Sequence, residues 1–267
     1  MTVLVQQRGG VAVVTVSDPD RRNALTLDLS ERLSQVVAHC DRDEAVHAIV
    51  VTGSPPAFCA GGDLDALAAA GAAGSSDDLY RIYAGFLAVA NASVPTVAAV
   101  NGPAVGAGLN LALACDLRLA GPGAWFDARF LHLGIQPGGG MTWLAQRAVG
   151  HQVAAAMMLF GEPLDAREAV RTGLAHRLVD VGAGDLGAGT EADSRSPAAH
   201  EAVVDAAVHL ARRAAAAPRD LLIATKATLR ATSRMPEHAD AVTYEAGPQL
   251  ASLGSAAFAH RIAQRRS

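Results

Sequence analysis

Two short apolar segments, each followed by a glycine-rich turn, constrain the fold of this sequence most. The segments are residues 48–52 and 96–100. Apolar runs of this length, bounded by glycine or proline, are typical of strands that are covered on both faces. The turns that follow, at 57–64 and 101–110, each lead into a segment of helical character. This repetition of strand, tight turn and helix predicts an α/β fold.

Two further patterns predict a hairpin and an amphipathic helix in the same part of the chain. Gly9 and Gly10 separate two β-branched runs, as in a hairpin closed by a glycine turn. Between residues 77 and 92, large apolar residues recur on one helical stripe. Tyr83 and Phe86 lie on that stripe, so we expect both side chains in the core.

The last third of the chain has a different character. Residues 181–199 are rich in Gly, Ala, Asp and Ser and hold almost no bulky apolar residue, which predicts a loop or linker. From residue 200 to residue 266 the pattern is helical throughout. We therefore divide the chain into a core, residues 1–195, and a C-terminal α-helical region, residues 196–267, that forms a separate subdomain or a docking arm.

The overall composition excludes several classes of protein. The chain is 51% hydrophobic and 18% charged, with a mean hydropathy of +0.22, which is typical of a globular domain and not of a disordered one. The net charge of −4 argues against nucleic acid as a partner, because nucleic acids select a basic protein face.

Cysteine, histidine and apolar spacing bear on metals and on location. The three cysteines are odd in number and show no C-x-x-C spacing, and the nine histidines show no metal-ligand spacing. We therefore expect no metal site, no disulfide framework and a reducing compartment. The N-terminal segment lacks the pattern of a secretion signal, and no apolar run reaches the roughly 18 residues of a membrane span. The sequence predicts a cytoplasmic protein.

The glycine-rich turns offer a chemical function. A turn at the start of a helix leaves backbone N–H groups without partners, and these can bind an anion or a developing oxyanion. Gly61 and Gly62 allow the main chain to approach a ligand closely, because no Cβ intervenes. In the second turn, Gly106 and Gly108 flank Ala107. Two such turns can aim two donors at one carbonyl oxygen; the alternative is that both are only tight strand-to-helix turns.

These segments also carry a resemblance to a known family. The sequence A-F-C-A-G-G-D-L at 57–64, together with P-T-V-A-A-V-N-G-P-A-V-G-A-G-L-N-L-A-L-A-C-D at 95–116, resembles the paired signature of the crotonase superfamily, also called the enoyl-CoA hydratase/isomerase family. The sequence R-R-N-A-L at 21–25 resembles the family's early CoA-contacting segment. The resemblance covers essentially the whole chain except residues 181–199.

The resemblance implies a fold, a substrate and an assembly. The fold is a crotonase-like spiral of repeated ββα units with a C-terminal helical oligomerisation region, assembled as a homotrimer or as a dimer of trimers. The substrate is an acyl-CoA or enoyl-CoA thioester. Coenzyme A is part of that substrate, so no separate cofactor is expected.

The resemblance also assigns roles to individual residues. The N–H groups of Gly62 and Ala107 correspond to an oxyanion hole that hydrogen-bonds the thioester carbonyl and stabilises an enolate. Residues that match the family's substrate-binding and CoA-binding positions are Arg22, Asn23, Ala24, Ala60, Gly61, Asp63, Leu64, Gly106 and, at the C-terminus, Phe258. Arg22 can meet a CoA phosphate, or it can simply be a solvated arginine in a turn.

Two positions depart from the family pattern. Where hydratases of the family carry two glutamates, this sequence has Asn110 and Phe130. Asparagine binds water but does not take its proton near neutral pH, and phenylalanine does neither. Asp127 and His132 flank Phe130 and are the candidate acid–base groups. The alternative is that Asp127 caps the turn and that His132 faces solvent.

Two functions remain open from the sequence. The first is an enzyme of the hydratase or isomerase type that acts on an acyl-CoA thioester with an unusual acid–base group. The second is a non-catalytic acyl-CoA binding protein on the same scaffold. Cys59 lies near the first glycine pair but lacks a histidine and aspartate pattern, so we assign it to packing.

Overall fold

The two strands expected from the apolar segments lie side by side in one six-stranded sheet. A computed structural model describes residues 1–179 and 196–266 of the chain. Its strands are β1 (Thr2–Gln7), β2 (Val11–Ser17), β3 (Ala48–Gly53), β4 (Thr96–Val100), β5 (Pro103–Val105), β6 (Leu117–Ala120), β7 (Trp125–Asp127), β8 (Leu164–Asp165) and β9 (Arg177–Leu178). The large sheet has the order β1-β2-β3-β4-β6-β9, and the small one has the order β5-β7-β8.

Helices alternate with these strands and then continue alone to the C-terminus. They are α1 (Leu27–Arg42), α2 (Leu64–Ala73), α3 (Ser76–Asn91), α4 (Ala107–Ala114), α5 (Phe130–Leu133), α6 (Met141–Leu159), α7 (Ala166–Arg171), α8 (Pro197–Ala215), α9 (Arg219–Thr232), α10 (His238–Leu253) and α11 (Ala256–Arg266). A short 3-10 turn, Pro19–Arg21, precedes α1. The expected α/β fold is confirmed.

Strand β3 separates two apolar layers. Its residues alternate between the faces of the sheet, as the strand period of two requires. Ile49 and Val51 pack in the layer that contains α1, α3 and α4, whereas Ala48 and Val50 pack in the layer that contains α8. Only the hairpin pair, β1 and β2, is antiparallel in this sheet. The prediction of strands covered on both faces and of an N-terminal hairpin is therefore confirmed.

Helix α8 is part of the core. Its buried face, which includes Val203, Val204 and Ala207, packs against β2, β3 and β4. The helix begins at Pro197 with Ser196 as its cap, so it starts inside the segment predicted as a linker. The rest of that segment, up to residue 195, lies outside the described residues. The division of the chain at residues 195 and 196 stays a prediction.

The later helices are attached differently. Helix α9 is tied to the core by cationic side chains: Lys226 Nζ donates to the Val94 carbonyl at 2.7 Å and pairs with Asp116 at 2.6 Å, and Arg230 donates to the Ala90 carbonyl at 2.6 Å. Helix α10 buries no residue and touches chiefly α9 and α11. The chain thus ends in a helical arm whose apolar side chains, among them Leu250 at 71% exposure, are uncovered.

Candidate active site

The two glycine-rich turns pack against each other through their main chains. Val105 N donates to the Cys59 carbonyl at 3.0 Å, and Cys59 N donates to the Pro103 carbonyl at 3.0 Å. Gly108 lies so close to the first turn that a Cβ there would stand 2.0 Å from the Cys59 carbonyl oxygen. Only glycine fits at that position, because any side chain would collide with the first turn. The close approach and the two hydrogen bonds hold the two turns in a fixed relative position.

Positive φ angles at Gly61 and Gly106 bring the turns to one cavity. Gly61 has φ 115° and Gly106 has φ 51°, a region of backbone conformation that favours glycine. A Cβ on Gly61 would lie 3.9 Å from the backbone nitrogen of Ala107. The end of the first turn therefore approaches the amide that opens α4.

The N–H groups of Gly62 and Ala107 are available to a ligand, as far as the described part of the chain shows. Leu25 N donates to the Gly61 carbonyl at 2.7 Å, and Asp63 N donates to the Leu25 carbonyl at 3.0 Å, which fixes Gly62 between two hydrogen bonds. Among the residues that the structure describes, neither the Gly62 N–H nor the Ala107 N–H donates to a backbone or side-chain acceptor. Ala107 is the first residue of α4, where an orphan donor is expected.

Both amides border a cavity of about 550 Å³. The sequence-predicted residues that line it are Arg22, Ala60, Gly61, Gly62, Leu64, Gly106, Ala107, Asn110 and Phe130. Much of the remaining lining is apolar and includes Leu67, Leu79 and Ile82. The geometry thus presents two free main-chain donors at the wall of an apolar cavity, which is what a carbonyl oxygen on an apolar chain requires.

Four of the predicted substrate-binding and CoA-binding residues do not line this cavity, and three of them support the turns. Asn23 is fully buried, and its amide donates to the Ser54 carbonyl at 2.7 Å and to the Ala57 carbonyl at 2.8 Å. Asp63 caps α2, accepts from Ala66 N at 2.9 Å and pairs with Arg21. Ala24 belongs to the same bonded segment, because its N–H donates to the Arg21 carbonyl.

Phe258 lies in a different place. Its side chain lines a separate depression between α9, α10 and α11, together with Leu221 and Pro248. The structure therefore does not bring Phe258 to the cavity of its own chain. The predicted role, contact with the ligand of a neighbouring subunit, stays a prediction.

The two acid–base candidates do not enter the cavity. Asp127 is 5% exposed, and its carboxylate accepts from Arg129 N at 2.7 Å and pairs with the Arg129 guanidinium at 2.6 Å. His132 is exposed and packs beside Gly161, where a Cβ would lie 2.7 Å from the imidazole. The acid–base role suggested for these residues therefore loses its geometric basis. Asp127 instead holds the left-handed turn at Arg129, whose φ is 60°, and pairs with the guanidinium of that cavity-lining residue.

Tyr83 packs against the core, as the sequence predicts, but it also lines the cavity, which the sequence does not predict. The stripe on α3 places Phe86 in the core, where it is 1% exposed, but Tyr83 is only partly buried and lines the cavity. The hydroxyl of a tyrosine needs water or a hydrogen-bond partner, even where the ring lies on an apolar stripe. This need is the sequence feature that could have identified Tyr83 as a cavity residue. Burial raises the pKa of the Tyr83 phenol above its ordinary value.

Asn110 binds the turn that follows α5. Its Nδ2 donates to the Gly138 carbonyl at 3.0 Å, and its Oδ1 has no hydrogen-bond partner within the described ranges. The side chain is 1% exposed, so this amide is held in one orientation.

Cys59 is fully buried, and burial raises the pKa of its thiol to about 12. That protonated, enclosed thiol is consistent with packing and not with nucleophilic attack.

The cavity lacks the acidic groups that a water-activating site needs. In the part of the chain described by the structure, its lining contains no Asp, Glu, His or Cys side chain. The cationic side chains of the lining are Arg22 and Arg129.

Within residues 1–179 and 196–266 no cluster of three or more His, Cys, Asp or Glu side chains is arranged to hold a metal ion. Across the same residues, no helix combines the length and the apolar character needed to cross a bilayer.

Comparisons with known proteins identify the family and the fold. The family model described as enoyl-CoA hydratase/isomerase matches residues 6–183. Probable enoyl-CoA hydratase EchA14 of Mycobacterium tuberculosis is 48% identical over 266 residues, covering 98% of this chain and 96% of the relative. A probable enoyl-CoA hydratase of Rhizobium meliloti is 39% identical over 178 residues, covering 67% of this chain and 68% of the relative. The crystal structure of a probable enoyl-CoA hydratase/isomerase from Mycobacterium abscessus superposes with a TM-score of 0.83 at 28% identity, covering 100% and 96% of the two chains.

Proposed function

Because the chain belongs to the enoyl-CoA hydratase/isomerase family and has the crotonase fold, we propose that it binds an acyl-CoA or enoyl-CoA thioester with the carbonyl oxygen between the N–H groups of Gly62 and Ala107. The observation that carries the proposal is the pair of unpartnered amides at one cavity wall. The family relationship identifies the protein as an enzyme of the hydratase/isomerase type. The carbonyl position, the residues that act and the assembly are the parts proposed here.

The amide pair explains how the chain would promote reaction. Hydrogen bonds from Gly62 and Ala107 draw electron density toward the thioester oxygen, which stabilises the enolate formed when charge develops there. The donors are main-chain groups in turns that are locked to each other, so they need no reorganisation during the reaction. One such donor contributes about 2.7–4 kcal/mol to transition-state stabilisation in enzymes that use an oxyanion hole.

The rest of the cavity fits the two ends of such a ligand. The apolar lining, including Leu67, Ile82 and Phe130, suits an acyl chain, and Phe130 favours fatty or aromatic acyl groups over short polar ones. Arg22 and Arg129 offer guanidinium groups that pair with phosphate. Coenzyme A enters as part of the substrate, and the proposed reaction uses no other cofactor.

Replacement of Ala107 by proline tests the amide directly. Ala107 is the first residue of α4, a position where proline is well tolerated because its N–H has no helical partner. Ala107→Pro therefore removes the donor and keeps the helix. We expect hydration of trans-2-enoyl-CoA, followed by loss of the conjugated thioester absorbance, to fall about 10²–10³-fold in kcat.

Ala107→Ser is the matched control, because it changes the side chain and retains the N–H. We expect it to stay close to the parent, and circular dichroism checks that both variants fold. Equal turnover by the proline variant would remove Ala107 from the oxyanion hole. A parent protein that binds the thioesters without turning over short or long enoyl-CoAs would favour the acyl-CoA binding protein, the candidate that the absence of carboxylates in the described lining supports.

The exposed C-terminal arm supports an oligomer. Apolar side chains on α10, such as Val242 at 53% exposure and Leu253 at 48%, are uncovered in one chain. A helix with such a surface is stabilised by a partner. We propose a homotrimer or a dimer of trimers in the cytoplasm, and light scattering on the purified protein measures the subunit number directly; a monomer would contradict the assembly.

A further inference from the structure

The cavity has one lining side chain that can exchange a proton. The ionisable side chains of the lining, within the described residues, are Arg22, Tyr83 and Arg129. A guanidinium keeps its proton in proteins, so the two arginines serve as fixed charges. The phenol of Tyr83 both donates and accepts hydrogen bonds, and it exists as an acid and a conjugate base.

The geometry connects this phenol with the asparagine at the position of a family glutamate. A Cβ on Gly138 would lie 2.4 Å from the Tyr83 hydroxyl oxygen. The carbonyl of the same Gly138 accepts from Asn110 Nδ2 at 3.0 Å, and a Cβ on Gly139 would lie 2.5 Å from that nitrogen. The Tyr83 hydroxyl and the Asn110 amide therefore approach the same turn, Gly138 and Gly139. They can come this close because neither glycine has a side chain.

The ring of Tyr83 packs against two aromatic rings, and its phenol interacts with the Gly139 backbone. The ring centroid lies 5.3 Å from that of Phe86 and 6.2 Å from that of Tyr80, the latter in an edge arrangement. The nearby Gly139 backbone favours the ionised phenol, which opposes the effect of burial on the pKa of Tyr83.

We propose that the Tyr83 hydroxyl is the group that exchanges a proton with the α-carbon of the bound thioester, in place of the family's glutamates. The inference rests on the proposed function, because the enolate must be held by the amides of Gly62 and Ala107. Asn110 is a positioning residue that fixes the turn against which the phenol stands.

The proposed step conserves protons and electrons. In α-exchange, the phenolate oxygen takes the α-proton, the electron pair of that C–H bond forms the enolate double bond, and the carbonyl π pair moves to the oxygen. Return of a proton from the phenol reverses the step. In hydration, the oxygen of water bonds to the β-carbon, the enolate takes the proton of Tyr83, and the proton that water loses returns to the phenolate.

Two measurements on Tyr83→Phe test the step separately from binding. The first is incorporation of deuterium from D2O at the α-carbon of octanoyl-CoA, followed by mass spectrometry. The second is the affinity for octanoyl-CoA from calorimetry. We expect exchange to fall about 10²–10⁴-fold, the range of general acid–base catalysis, with affinity within about threefold of the parent. Tyr244→Phe is the matched control: Tyr244 is on α10, is 42% exposed and does not line the cavity, so loss of its hydroxyl should leave exchange unchanged.

The pH profile distinguishes a chemical role from a structural one. Removal of an α-proton needs the phenolate, so exchange by the parent should rise about tenfold per pH unit from pH 7 to pH 9, in line with a raised pKa. A fluorinated tyrosine at position 83, whose phenol has a lower pKa, should move this rise to lower pH.

Each outcome separates the two proposals. Exchange by Tyr83→Phe at the parent rate would overturn the role of Tyr83 and leave the amide pair intact. A parent that binds octanoyl-CoA without exchange would also overturn it. A parent that binds neither octanoyl-CoA nor an enoyl-CoA would instead overturn the proposed function, and the inference with it.

Discussion

The cavity lining combines a main-chain part and a side-chain part, and the two are fixed by different means. The main-chain part, around Gly62 and Ala107, is held by backbone hydrogen bonds between the two turns. The side-chain part, around Tyr83, Asn110 and Phe130, is held by packing and by one bond to the Gly138 carbonyl. We therefore expect the proposed oxyanion hole to depend on the backbone and the glycines of the two turns, and the proposed proton transfer to depend on a few individual side chains.

The main-chain part should be the more sensitive to a single added carbon. In Gly108→Ala the new Cβ would start 2.0 Å from a backbone oxygen, which cannot rotate away. Overpacking costs typically 1–3 kcal/mol and sometimes more, and we expect about 3 kcal/mol or more here, with loss of activity. Denaturant unfolding measures it, and Gly71→Ala, where nothing lies within 4 Å, is the control that should be neutral or slightly stabilising. A fully stable Gly108→Ala would show that the turns are not locked.

Asn110→Asp tests the single bond of the side-chain part. The carboxylate would place an oxygen opposite the Gly138 carbonyl, which now accepts from Asn110 Nδ2 at 3.0 Å. The Gly138 carbonyl is partly buried, and loss of a hydrogen bond to such a group costs about 1 kcal/mol, so we expect that loss of stability together with slower α-exchange. Asn110→Ala removes the donor without adding a charge and should be the less destabilising of the two in calorimetry. If aspartate proved as stable as asparagine, the bond to Gly138 would not be what fixes this turn.

The smallest expected effect is on stability at high pH. Burial raises the pKa of Tyr83 in the folded state, so its contribution to stability is fully present below the unfolded value of about 10 and is lost as pH rises through the folded pKa. The free energy of unfolding should therefore fall more steeply above pH 10 in the parent than in Tyr83→Phe. Parallel curves for the two proteins, from urea titrations at pH 8 and pH 11, would contradict a buried phenol.

Much of the main-chain part could be predicted from the sequence, because its geometry depends on local features. Glycines directly after a buried strand, at the start of a helix, indicate free N–H groups whatever the distant residues are. The sequence predicts glycine turns at 57–64 and 101–110 on that basis, and in the structure Gly61 and Gly106 of these turns adopt positive φ. The side-chain part could not be predicted in this way. The helical stripe of α3 assigns Tyr83 to the core, and only the approach of the Gly138 turn makes it a cavity residue.

The acid–base candidates show the same limit. Asp127 and His132 are neighbours of Phe130 in sequence, but the left-handed turn at Arg129 rotates the segment, and a carboxylate that caps that turn cannot also face the cavity. Sequence distance alone does not predict which way such a side chain points.

The sequence by itself determined the α/β fold, the hairpin, the central strands and the glycine turns, because hydrophobic periodicity and glycine's freedom at positive φ act within a few residues. The tertiary structure alone decided which side chains share the cavity. Tyr83 and Gly138 are 55 positions apart, and their meeting depends on how α3 packs beside the turn that precedes α6. Contacts of that kind arise from packing of the whole core, which no local pattern encodes.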